Sequence, residues 1–219
     1  MKKITYLFLL FVSFNAFSQS KKALCNCAKN DFAPSNAEKN YSLANGKIIS
    51  LCGYKNAKSY PISYSEFVLS ECGKKEIIDF WGANFTGEIS VDKNTLIIKQ
   101  LESLPTGKDF IYEHNWWSTE KINFEKDELK REIIINRNIK KYTLTQQKKA
   151  IVNYKNAPIE VNEHTMEVLD QIFMAIISGN KEARIYFSTF KEHFDLQGAN
   201  SYIYRLLTDM LNDWDTNVK

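Results

Sequence analysis

The stretch Ser50–Phe80 reads SLCGYKNAKSYPISYSEFVLSECGKKEIIDF, and the fold is decided there. From Tyr64 to Cys72 the chain alternates with period two. Phe67, Leu69 and Glu71 fall on one side, Val68, Ser70 and Cys72 on the other, which predicts a strand. Cys72-Gly73-Lys74-Lys75 reads as a turn. Glu76–Trp81 follows with Ile77, Ile78, Phe80 and Trp81, apolar on both faces, as a central strand requires. Upstream, Lys47–Tyr54 alternates weakly and reads as a further strand.

The same stretch carries Cys52 and Cys72, and a second pair, Cys25 and Cys27, lies just before it. Four cysteines in an exported chain predict two disulfides, with three connectivities to choose from. A Cys25–Cys27 bridge would close a very tight ring, so it ranks last. The other two pairings both staple the N-terminal segment onto the strands around Cys52 and Cys72. Cys-Asn-Cys does not match the pair spacing of a zinc site, and no metal or cofactor is expected.

The expectation of export comes from the start of the chain. Lys2 and Lys3 precede an apolar run from Ile4 to Phe14, and Ala16 and Ser18 are small residues at the −3 and −1 positions of a cut. Residues 1–18 therefore read as a signal peptide, with the mature chain periplasmic or extracellular. The run is too short to span a bilayer, so no transmembrane segment is expected in the mature chain. A lipoprotein anchored through Cys25 is the alternative, and Leu24 before that cysteine is too large for it. The net charge of +3 includes Lys2 and Lys3, so it falls to +1 after cleavage. That balance gives no argument for nucleic acid. The bias to lysine over arginine, with many Asn and Ile, suits a bacterial source of low GC content.

Downstream, Phe85–Asp92 and Thr95–Leu104 flank the turn Asp92-Lys93-Asn94 and predict a hairpin. Phe110–Phe124 reads as a loop leading into a strand from Trp116. Glu128–Ile139, with Ile133, Ile134 and Ile135 in a row, reads as another strand. Tyr142–Thr145 and Lys148–Tyr154 read as two more. Lys29–Gly46 is turn-rich and reads as a loop, with one helical turn over Ser35–Leu43.

After Tyr154–Pro158 the period changes from two to 3.6. Asn162 caps a helix with the stripe Met166, Leu169, Ile172, Phe173, Ile176 and Ile177, ended by Ser178-Gly179. Asn180 caps a second, carrying Ala183, Tyr186, Phe187, Phe190 and Phe194. A third carries Ile203, Leu206, Leu207, Met210, Leu211 and Trp214. The expected fold class is therefore α+β: an antiparallel sheet or sandwich over about residues 47–154, then a three-helix C-terminal segment packed on it. In domain terms this is a signal peptide (1–18), a disulfide-tethered segment (19–46), an antiparallel β domain (47–157) and the helical segment (158–219).

No nucleophile motif, P-loop or HExxH is present, so no catalytic residue is assigned. His114, His164 and His193 each follow a glutamate, but neighbours in sequence do not share a helix face. The most distinctive surface candidate is Asp109–Trp117, DFIYEHNWW, with Phe110, Tyr112, Trp116 and Trp117 as binding residues. On a strand Trp116 and Trp117 point to opposite faces, so one can fill a core while the other meets a ligand. The leading expectation is a non-enzymatic exported protein that binds another protein, in the manner of an immunity or inhibitor protein. A carbohydrate-binding module using an exposed Trp comes second, with a glycan as its ligand. A hydrolase built on carboxylates or histidines comes third.

Overall fold

The computed structural model describes residues 25–59, 61–125 and 128–216. The expected signal peptide lies outside them. The fold is α+β, an antiparallel sheet followed by C-terminal helices. Among the described residues seven strands run in sequence order: β1 (Lys39–Ser42), β2 (Ile48–Asn56), β3 (Ser63–Glu71), β4 (Ile77–Asp92), β5 (Thr95–Leu104), β6 (Glu113–Asn123) and β7 (Lys130–Ile135). Every neighbouring pair is antiparallel.

Alternation on β2 and β3 is used on both faces. Ile49, Leu51, Phe67 and Leu69 enter the main sheet core with Trp81, Ile89, Leu96, Ile98 and Ile122. Cys52 and Val68 face the other way and are buried with Cys27, against Ala33, Ala37, Ile77 and Phe80. The N-terminal segment is thus a plate over the outer face of β2–β3. Two disulfides, Cys25–Cys72 and Cys27–Cys52, hold it. Ala28 N–H also donates to Ser70 Oγ (3.1 Å) and Cys25 N–H to Asn40 Oδ1 (2.7 Å). The paired cysteines indicate an oxidising environment.

The sheet coils around its core. β3 and β4 lose register between Ser65↔Thr86 and Phe67↔Trp81, so residues 82–85 bulge and bend one long strand. The sequence reads two strands there because the bulge interrupts the alternation. Opposite, Glu66 bulges from β3 at positive φ, and a Cβ on Gly53 would lie 2.4 Å from Phe67 Cβ, so only glycine fits. Tyr41 Oη donates to Ile89 O (3.2 Å), and Asn45 Nδ2 to Phe124 O (2.7 Å), joining β1 and its loop to strands across the core. Arg131 on β7 meets Asp79 on β4 and Glu120 on β6 (3.3 Å). Coiling brings strands together that are distant in the sheet order.

Five helical elements follow: α1 (Leu144–Asn156), α2 (Glu163–Ile177), α3 (Lys181–Ser188), α4 (Phe190–His193) and α5 (Gly198–Thr216). Four expectations are corrected. Tyr142–Thr145 and Lys148–Tyr154 are not strands; the second and part of the first lie in α1. A capping box starts this helix, with Thr143 Oγ1 accepting from Gln146 N–H and the Gln146 side chain accepting from Thr143 N–H. The helix read from Asn180 to Phe194 breaks at Ser188–Thr189 into α3 and α4. The expected loop over Lys29–Gly46 contains β1 rather than a helical turn. α2 starts and stops where its caps place it, at Asn162 and Gly179. It lies at the centre of the second core, with Val168, Leu169, Ile172, Phe173, Met174 and Ala175 fully buried. That core meets the sheet at Leu104, Phe110, Trp117 and Ile135, so the helices cap one end of β5–β7. No described helix is long and apolar enough to cross a membrane.

Candidate functional site

The stretch Asp109–Trp117 divides between core and surface. Asp109 and Phe110 sit in the left-handed region, in a short turn closed by Gly107 N–H to Ile111 O (2.9 Å). Each costs about 1–2 kcal/mol for a residue with a Cβ. Burial of Phe110, 8% exposed against Tyr142, offsets part of that cost. Trp117 is 1% exposed, with its ring 5.7 Å from both Phe173 and Trp214. Phe110 and Trp117 are therefore core residues. Tyr112 is 41% exposed and donates from its hydroxyl to Asp170 Oδ2 (2.6 Å), tying the start of β6 to α2.

Trp116 is half-buried and lines a groove of about 430 Å³ with Lys99, Thr119, Ile134, Asn136 and Arg137. The Lys99 ammonium stands 5.2 Å from the centre of its ring. Asn136 Nδ2 donates to Trp116 O (2.8 Å), and the Arg137 guanidinium stacks on Trp214 (4.2 Å). Among the described residues no carboxylate lines this groove, so its charge is cationic. It opens beside β7, which is last in the strand order and has no strand on its outer side among the described residues. Ile133 and Ile134 on β7 are 54% and 41% exposed.

The histidines do not converge. His164 contacts Glu167 (3.3 Å) on the first turns of α2, His193 packs on Tyr154 and Phe194, and His114 stands at the start of β6. Among the described residues no group of three His, Cys, Asp or Glu side chains could hold a metal ion.

Among the described residues Glu102, Glu120, Asp170 and Asp213 are displaced upward in proton affinity, Glu102 and Asp170 furthest. Burial raises Asp170 to about 6, and the Tyr112 hydrogen bond opposes the shift. Burial raises Glu102 to about 7, opposed by Gln100 Nε2, which donates to Glu102 Oε1 (2.7 Å). Asp170 adds to the rise at Glu102 by repulsion. The sequence gives no signal for either residue, because burial of one acid among 26 is a property of the fold. The folded chain holds these protons to higher pH than the unfolded chain. Their contribution to stability is therefore fullest below the ordinary carboxylate range and falls as pH rises toward 7. Glu102→Gln removes one such charge. It is expected to be more stable than the parent by about 1–2 kcal/mol near pH 8 and no more stable near pH 4. Urea unfolding at the two pH values checks this.

Comparison with known proteins gives no matching family model, no matching curated protein and no matching solved structure.

Proposed function

We propose that this chain is an exported protein, periplasmic or extracellular, that binds another protein at the groove beside β7. One observation carries the reading. A half-buried tryptophan, flanked by Lys99 and Arg137, opens next to two exposed isoleucines on an edge strand. Trp and Arg are the residues that concentrate binding energy at interfaces. An edge strand offers unpaired backbone groups to a partner segment. The cationic lining favours a partner segment rich in carboxylates, with complementary charge steering its approach.

A sugar stacked on Trp116 fits less well, since Lys99 already shares that ring face. The test is capture from the native compartment with the mature protein, run in parallel with Trp116→Ala and Lys99→Glu. The expected result is a partner retained by the parent and weakened about thirtyfold by Trp116→Ala, the loss typical of a central interface tryptophan. Binding should also weaken with added salt and with Lys99→Glu. A partner held equally by Trp116→Ala would place the interface elsewhere.

A further inference from the structure

A second concavity, sharing no lining residue with the Trp116 groove, is larger, about 580 Å³, within the range of small-ligand sites. Lys58 and Ser59 from the β2–β3 loop, Asn84 and Thr86 from β4, Glu102 from β5 and His114 from β6 all line it. Thr86 pairs with Leu101 across β4–β5, and Asn84 lies in the bulge just before it.

Glu102 is held by a relay. Ser118, 6% exposed, donates from Oγ to Gln100 Oε1 (2.9 Å), and Gln100 Nε2 donates to Glu102 Oε1. This fixes one carboxyl oxygen and leaves the other without a hydrogen bond to the described residues. The side chains of Asn84, Thr86, Ser103 and His114 likewise make none among the described residues. The cavity therefore presents a preorganised carboxyl among several free amide, hydroxyl and imidazole groups. Leu101 and Pro61 add apolar surface on its lining.

That chemistry selects a class of ligand. Lys58 and Glu102 oppose each other in sign, so the lining carries no excess that would favour an anion or a cation. Donors and acceptors side by side suit hydroxyl groups, which do both. An apolar wall suits the C–H face of a sugar ring. Cleavage of a glycosidic bond needs two carboxyl groups flanking the scissile bond, and Glu102 is the one carboxyl among the described lining residues. We propose that this cavity binds a neutral saccharide, with Glu102 accepting from its hydroxyls and Leu101 packing against its C–H face, without hydrolysing it.

The test is a backbone amide NMR titration of the mature protein with chitotriose, cellotriose and maltotriose, each to millimolar concentration. At least one is expected to shift resonances around Glu102, Thr86 and His114. At pH 8, where the Glu102 carboxyl is ionised, Glu102→Gln should weaken that binding about tenfold, the loss of a hydrogen bond to a charged acceptor. Because the same variant should not be destabilised, weaker binding would not reflect unfolding. Ile134→Ala, on the β7 side of the other groove, should leave sugar affinity unchanged, which separates this site from the groove beside β7. No shift with any of the three sugars, shifts confined to the Trp116 side, or equal affinity in Glu102→Gln would each overturn the proposal.

Discussion

Trp117→Ala is expected to cost about 3–5 kcal/mol of stability, the usual range for deleting a fully buried tryptophan. The ring joins two layers. It leaves β6, stacks on Trp214 of α5 and meets Phe173 of α2. Trp214 is itself covered by Arg137 and by the Lys141 ammonium at 3.8 Å. Lys141 is driven down to about 8 by its burial and by Arg137. Removing Trp117 opens a cavity that this stack has no spare atoms to fill. Urea unfolding of the mature protein should show the loss, while Trp116→Ala, one residue away on the surface, should cost far less. Similar losses for the two variants would contradict the division of the pair into core and surface.

Loss of the disulfides is the second large effect. Replacing Cys25 and Cys72 together, or Cys27 and Cys52 together, should destabilise the protein by roughly 3–4 kcal/mol in each case. The sequence separations are 47 and 25, and loop length enters only through its logarithm, so the two pairs should differ little from this term. The loops overlap, so removing both bridges should cost less than the two losses added. Denaturation without reductant measures this, and mass analysis of non-reduced peptides checks the pairing. A loss below about 1 kcal/mol for either pair would mean that the N-terminal plate holds by packing alone.

How much of this could be read from the chain depends on whether each signal was local. α2 was legible because its cap, its stop and its apolar stripe all agree over fifteen residues. α1 was missed although Thr143 and Gln146 spell a capping box. Its buried face is Gln147, Ala150, Ile151 and Tyr154, and a glutamine in the first buried position hides the period. β1 is four residues long and mostly polar, and its place is fixed by pairing with β2 and the plate beneath it. For the aromatic stretch, alternation correctly set Trp116 and Trp117 apart, but nothing local said which would be covered. The Glu102 cavity was illegible for a different reason. It gathers residues from Lys58 to His114, on four strands and a loop, that only strand pairing brings together.

The Trp117–Trp214 stack also sets an order of assembly. One ring is supplied midway along the chain and the other almost at its end. Until α5 has formed, Trp117 lacks the Trp214 ring it stacks on. The sheet can pair and the first bridges can form, yet the joint between sheet and helices closes only once α5 has packed.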